Sequence, residues 1–344
     1  MPGAEQKEIA GRLRWQGEEC RRLGSPLYAG LLERAAADAE AGGVAWEVLE
    51  GQREEAVFSA VGLRLMGAVN RLVLGGEEPE AFAGWEQFRD VLERRCDDLR
   101  GLVALPVQTN EVGRSAALLF GFLAIAAWTP LPLRTLELGA SAGLNSNWDR
   151  YRYEADGFAW GPTDSPLALR DWRFSRHTGD FRANHPERVE VAAREACDAA
   201  PVDASTEEGR RTLLAYVWVD QHRRVERLRA ALEVAAAHPV AVERAPAAAW
   251  AAAKLAEPVE GVATVVFHSV FLFYLPADER AELDETVAAA GERASAAAPL
   301  ARLRLESGGE MAELRLTTWP GGDERLLARA GFHGDPVELL ESPA

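Results

Sequence analysis

The residues of this chain best suited to chemistry stand together at Glu137-Leu138-Gly139-Ala140-Ser141-Ala142-Gly143, directly after the short β-run Leu133–Leu138. A strand that runs into spaced glycines and then a helix supports two chemistries. In one, Gly139 and Gly143 allow a tight turn, and backbone N–H groups approach a ligand at the helix N-terminus. Glu137 then orients a cofactor, and an acid after the next strand takes a ribose. In the other, Gly139-Ala140-Ser141-Ala142-Gly143 is a nucleophile elbow that raises the Ser141 hydroxyl on a strained turn. Such an elbow normally follows several strands and an upstream oxyanion loop. Here only helical patterns precede residue 105, and the first histidine is His177. His333, in Gly331-Phe332-His333-Gly334, keeps the serine reading open as a third triad member. The bland alternative is a turn with no ligand role.

Other polar residues fall where the ends of neighbouring strands are expected. Asp198 closes a second β-run and is placed to hydrogen-bond ribose hydroxyls, although it lies some 60 residues beyond Glu137 where about 20 is usual; Asp203 is its substitute. His268 and Ser269 end an apolar run at the carboxyl edge, where ligands of open α/β sheets collect. His268 there is a general base tuned near neutral pH, or a histidine satisfied by backbone. Tyr274 shapes the adjoining pocket. Gln108, Asn110, Glu111 and Arg114 form a polar cluster that either passes over the cofactor or caps the next helix. Arg150 and Tyr151 face an acceptor, or pair at the surface and pack. Asp220 reads as the cap of a helix starting at Gln221. His177, Asp180 and His185 have no metal-ligand spacing, so no metal site is expected.

The elements that must position these residues change character along the chain. Up to about residue 105 the pattern is helical: Ile9, Leu13, Trp15 and Cys20 recur near helical spacing. Ser25-Pro26 opens a helix to Ala41, Glu54–Leu74 is a third, and Pro79 opens a fourth carrying Phe82, Trp85, Phe88, Val91 and Leu92. A helix follows over Gly113–Trp128. Beyond Leu138, apolar runs alternate with amphipathic helices, the pattern of βαβ units. The runs are Val189–Cys197, Val240–Arg244, Val262–His268, Ala301–Glu306, Met311–Trp319 and Val337–Leu340; the helices are Glu207–Val217, Gln221–Ala237 and Asp278–Ala290. Residues 151–187 read as an irregular, aromatic-rich insertion, either a functional lid or a core-covering loop.

Bulk properties exclude several classes. The 344 residues carry a net charge of −16, which disfavours a phosphate backbone as partner. No apolar run reaches the roughly 20 residues a membrane span needs. The polar start lacks a signal core, and three scattered cysteines suit a reducing cytoplasm. A small molecule or a protein is the expected partner, and the oligomeric state is left open.

Over roughly residues 108–344 the chain resembles class I S-adenosylmethionine-dependent methyltransferases. Glu137, Gly139 and Gly143 match their first motif, with Ser141 in place of the middle glycine. Val265 through Pro276 looks like the family's fourth strand and following segment. Leu326 through Phe332, then Val337–Leu340, looks like its closing helix, Gly-Phe turn and last strand. The whole chain also resembles the bacterial domain-of-unknown-function family 2332. That likeness is carried by Gln108 through Arg114, Glu137 through Asn145, Trp148 through Tyr153, Trp218 with Asp220-Gln221, Phe267-His268-Ser269 and Trp319-Pro320-Gly321-Gly322. Two departures stand out. Arg244-Ala245-Pro246-Ala247 replaces the acid expected after the third strand, and Val219 replaces a proline.

The resemblance implies an α/β fold: a Rossmann-like, mostly parallel methyltransferase-type sheet with helices on both faces over 106–344, preceded by an all-helical domain over 1–105. It implies S-adenosylmethionine held by Glu137, Gly139, Ala140, Ser141, Gly143, Asn145, Asp198, Gln108, Asn110, Arg114 and Ser269. His268 and Tyr274 serve a small-molecule methyl acceptor. A non-catalytic ligand-binding protein of this fold and a serine hydrolase using Ser141 are the alternatives.

Overall fold

The computed structural model describes residues 3–52, 60–155, 157–170 and 185–340. Along the chain, helices α1 (Ala4–Arg22), α2 (Pro26–Glu40), α3 (Val44–Leu49), α4 (Val61–Leu74), α5 (Trp85–Arg94), α6 (Cys96–Val103) and α7 (Ser115–Trp128) come first. Strand β1 (Leu133–Leu138) follows, then the short strands β2 (Arg152–Ala155), β3 (Phe158–Trp160) and β4 (Ala168–Leu169). Next are β5 (Val191–Asp198), α8 (Glu207–Ala215), α9 (His222–Ala237), β6 (Val242–Arg244), α10 (Ala247–Lys254), β7 (Ala263–Ser269) and α11 (Ala277–Glu292). Strands β8 (Leu300–Ser307), β9 (Ala312–Trp319), β10 (Asp323–Ala330) and β11 (Val337–Leu339) close the chain. Among the described residues, no helix is long and apolar enough to cross a membrane.

The chain divides into two compact units, Met1–Thr109 with Thr206–Glu226, and Asn110–Ser205 with Arg227–Ala344. The helical unit therefore takes α8 and the start of α9 from the middle of the sequence. Its core joins Leu13, Tyr28, Leu32, Leu65, Phe88 and Trp218, and Tyr28 stacks on Phe82 at 5.6 Å. Trp15 lies outward and is half exposed, so the apolar face of α1 is Ile9, Leu13 and Cys20. Pro79 does not open a helix; α5 starts at Trp85, and residues 54–59 of the expected third helix lie outside the described residues. Asn70 donates from Nδ2 to the carbonyls of Leu214, Ala215 and Val217, at and just beyond the end of α8. Asp220 does not cap its own helix. Its carboxylate accepts from Ser25 Oγ at 2.7 and 2.9 Å and from Leu27 N at 3.2 Å, locking the start of α2.

The second unit is an eight-stranded sheet in the order β11-β10-β9-β8-β7-β1-β5-β6. Pairs β5·β6, β1·β5, β1·β7 and β7·β8 are parallel; β8·β9, β9·β10 and β10·β11 are antiparallel. The chain starts on β1, builds outward to β6, then returns to the other side of β1 with β7. That reversal is the switch point at which open α/β sheets gather ligands. Helix α7 is apolar on every side and buried from Ser115 to Ile125. It lies so close to β8 that a Cβ on Gly121 would stand 2.1 Å from the Leu303 side chain. On the opposite face α10 and α11 pack on Leu136, Leu138, Val266 and Leu300.

Two expectations are corrected here. Residues 326–330 are not a closing helix but part of β10, because Ala312–Thr318 and Val337–Leu339 offer it a ladder on both edges; pairing overrides the helix-forming composition. The described part of 151–187 is not irregular throughout: β2, β3 and β4 form a small sheet in the order β3-β2-β4. Trp148 fastens this region, stacking on Phe122 at 4.0 Å and on Trp160 at 5.6 Å. Trp172, Phe174, His177, Asp180 and Phe181 lie outside the described residues.

Replacing Asp220 by Ala strips partners from a buried serine hydroxyl and a backbone amide. Urea unfolding is expected to show a loss of about 1–3 kcal/mol, with Asp220→Asn, which keeps one acceptor oxygen, losing less.

Candidate functional site

Strand β1 ends at Leu138, and the chain turns through three left-handed residues, Gly139 at φ +63°, Ser141 at φ +54° and Gly143 at φ +71°. Gly139 is required here: a Cβ would stand 2.1 Å from the Phe271 ring. The close approach that the glycine permits is thus filled by a side chain of the protein itself. The turn does not hand over to an α-helix. Asn145–Arg150 is a 3₁₀ turn interrupted at Asn147, so no helix N-terminus and no macrodipole point at a ligand. This corrects the expected helix after the glycines.

Each backbone amide of the turn has a partner. Gly139 N–H approaches the Cys197 sulfur and Ala140 N donates to Cys197 O at 3.0 Å. Ser141 N donates to Asp198 Oδ2 at 2.8 Å and Gly143 N to Ala140 O at 2.8 Å. Ala142 N and Leu144 N both donate to Asn110 Oδ1, at 3.3 and 3.1 Å. Asp198 Oδ1 also accepts from Ala200 N at 2.8 Å. Each oxygen of Asp198 keeps an uncommitted lone pair on this count, and the residue is half-buried.

Beneath the turn Glu137 is 3% exposed. Burial pushes its carboxyl up to about 8, against the pull of Ser146, whose hydroxyl donates to Oε2 at 2.5 Å; Asp198 adds to the rise. Asn145 is equally enclosed: it accepts from Ser115 Oγ at 2.8 Å and donates to Glu111 O at 3.5 Å. Tyr151 is fully buried and donates to Leu144 O, while Arg150 is exposed and pairs with Asp149. Arg114 donates to Phe332 O at 3.0 Å and to Ser269 O at 3.1 Å, tying the end of β7 to the turn before β11. Gln108 is a buried residue of the helical unit.

His268 is fully buried at the end of β7. Its Nδ1–H donates to Glu306 Oε1 at 2.6 Å, since a carboxylate only accepts. Burial lowers its pKa from the ordinary value, against the Glu306 contact. The neutral ring therefore carries its basic lone pair at Nε2, which is enclosed and without a partner. Glu306 was not singled out from the sequence, where it appears only as the last residue of an alternating strand. It also accepts from Phe271 N at 3.0 and 3.1 Å and from Leu272 N at 3.2 Å. The residue between, Val270, sits at φ +50°, a costly conformation for a β-branched side chain. Tyr274 is 46% exposed, on the 3₁₀ turn Leu272–Tyr274.

The register separates the two acid–base candidates. Glu137 is opposite Phe267 on the parallel neighbour, and successive strand residues alternate faces. His268 therefore points to the α10 and α11 face, Glu137 to the α7 face. The elbow reading also lacks its surroundings. A 3₁₀ turn follows Ser141, and Asp198 accepts the Ser141 amide rather than orienting an imidazole. Among the described residues no cluster of His, Cys, Asp or Glu is arranged to hold a metal ion. A shallow groove lies at the amino ends of the strands, lined by Arg134, Leu255, Thr264 and Leu300, away from these groups.

The raised Glu137 has a signed consequence. The folded protein holds a proton that the unfolded chain releases near pH 4.5, so folding stability falls as pH rises from about 4.5 to about 8 and levels off above. Urea unfolding is expected to lose up to about 1.4 kcal/mol per pH unit through this window. Glu137→Gln, neutral and of equal size, is expected to flatten that slope and to be more stable than wild type at pH 8.

No curated protein and no solved structure matches the chain. A family model described as "uncharacterized protein conserved in bacteria (DUF2332)" matches residues 10–339. The chain belongs to that bacterial family.

Proposed function

We propose that the protein binds S-adenosylmethionine at the carboxyl edge of β1, β5 and β7 and transfers its methyl group to a small molecule. One observation carries the reading: the parallel strands, counted in chain order, lie 3-2-1-4-5, with the reversal on a strand that ends in an acid and a glycine turn. The same order places the second strand's terminal acid, Asp198, beside that turn. Two features depart from a methyltransferase. The antiparallel β8–β11 hairpins stand where a closing helix is expected, and Ala245-Pro246 offers no acid after β6.

The donor set fits the ligand in part. Asp198, half-buried and with a lone pair on each oxygen, suits a ribose diol. Gly139 fits a close backbone approach only with the Phe271 ring displaced. S-adenosylmethionine, when bound, supplies an activated methyl group on a sulfonium. Asp198 holds the ribose and Asn110 keeps the turn in shape beneath it. Glu137 supplies a buried carboxyl whose ionisation a nearby positive charge favours. His268, fixed through Nδ1 by Glu306, accepts the acceptor's proton at Nε2. A second reading is a ligand-binding protein without transfer; the enclosure of His268 Nε2 favours it.

Calorimetry with S-adenosylhomocysteine tests the proposal. Binding is expected at one site per chain, and Asp198→Ala is expected to weaken it about tenfold or more by removing charge-assisted hydrogen bonds. No heat at millimolar ligand sinks the reading. Binding by a protein that never methylates any acceptor tried favours the second. A fluorophosphonate probe is expected to leave Ser141 unlabelled.

A further inference from the structure

The face of β8 that meets α11 changes character along its length. At its start Leu300 joins the apolar cluster with Leu283 and Val287 of α11. The next residues on the same face are Arg302 and Arg304, two guanidiniums side by side where apolar residues would pack. Arg302 is 6% exposed. Its one ion pair is with Asp284 on α11, at 2.6 Å through Nη1, and that carboxylate is half exposed. Its Nε and Nη2 are buried without a partner. Arg304 directs Nη2 to Glu324 and leaves its own Nε buried without a partner. His268 is opposite Arg304 in the ladder, on the same face, with Nε2 likewise unpartnered.

Orphaned buried donors are rare because each forfeits its water without replacement. Here three such donors gather on one patch, all of them on guanidiniums, beside the lone pair of His268 Nε2. Burial lowers the pKa of Arg302 from its ordinary value; Asp284 opposes this most, Arg304 adds to the lowering, and Glu306 opposes it more weakly. Nε and Nη2 of one guanidinium point in parallel, and that edge matches the two oxygens of a carboxylate in a bidentate pair. Lysine has no such edge.

We infer that the patch between α11 and β8 is a binding site for the carboxylate of a small acidic molecule, gripped by Nε and Nη2 of Arg302 with Arg304 Nε beside it. Asp284 closes the outer end and competes for the same guanidinium. The site uses no residue assigned above to the S-adenosylmethionine ribose or to the glycine turn, and it stands whether or not that ligand binds.

The test is titration of the full-length protein with sodium acetate, sodium phosphate and sodium chloride at matched ionic strength, read by calorimetry and thermal unfolding. Acetate is expected to bind saturably and raise the melting temperature above that in chloride. Arg302→Lys, which keeps the charge and loses the bidentate edge, is expected to weaken acetate about tenfold or more. Asp284→Asn removes the competitor at a half-exposed position and is expected to tighten acetate severalfold. It also carries the test if Arg302→Lys does not fold. Equal behaviour of the wild-type protein in all three salts overturns the inference, as does an undiminished acetate response in Arg302→Lys. A response to phosphate alone overturns the assignment to a carboxylate.

Discussion

Where β1 leaves the sheet, the amides from Gly139 to Leu144 have no ladder to donate to, and they lie in a region closed to water. An unpaired buried N–H costs about 1–3 kcal/mol, so leaving several would consume much of a domain's net stability. The surrounding chain supplies partners from three directions. Asn110 comes from the approach to α7, Cys197 and Asp198 from the end of β5, and Ala140 from the turn itself. This obligation fixes where α7 begins, how far β5 extends and why Asp198 stands at its end. It also bears on function. A turn whose donors are already engaged has none left for an oxyanion, and its free hydrogen-bonding capacity lies on the acceptor side, at Asp198.

The second constraint is the pleat. Because side chains alternate, the pairing of Glu137 with Phe267 sends His268 to the far face. A carboxyl raised by burial and an imidazole lowered by burial thus occupy separate compartments of one sheet edge. What joins them is backbone. Glu306 holds His268 and also the amides of Phe271 and Leu272, and Phe271 rests on Gly139. The strained Val270 lies inside that span. Any ligand that approaches Gly139 must displace a ring whose backbone is anchored by the partner of His268, so the two compartments are mechanically connected although their side chains never meet.

Much of this was legible from the residues. The bounds of β1 follow from Pro132 on one side and Gly139 on the other, and α7 from an apolar run ended by Thr129-Pro130. Strands β5 to β9 emerge within two residues or so of the runs that suggested them. The failures have physical causes. Residues 323–330 are rich in helix formers and become a strand because both flanking partners are in place, a fact about distant sequence. Asp220 sits at the start of its own helix yet serves α2, since a carboxylate caps whatever amide folding brings to it. Glu306 carried no mark beyond ending a strand; its role arises only when β7 and β8 lie side by side. The turn after Gly143 had glycines suited to a helix start, but Asn147 leaves helical geometry and Tyr151 captures the Leu144 carbonyl, which holds the segment in a tighter form.

The antiparallel end of the sheet explains how so polar a face is tolerated. A parallel strand inside an α/β sheet is covered on both sides and reads as an apolar run, as Ala263–Phe267 does. Strands β9 and β10, joined by short turns, need cover on one face only, so the other carries charge. Leu303, Leu305, Leu314 and Leu316 face α7 and are fully buried, while Glu313, Arg315, Glu324 and Arg329 pair with one another across the opposite face. Exposed pairs of this kind contribute at most about 1 kcal/mol each, so their effect is on register more than on stability. Arg304 belongs to that ladder through Glu324. Arg302 does not: one step further in, beneath α11, it has left the reach of the ladder's carboxylates but kept its charge. Asp284 of α11 engages only Nη1 of that guanidinium, so Nε and Nη2, at the border between apolar packing and solvated ion pairs, are where a bound anion belongs.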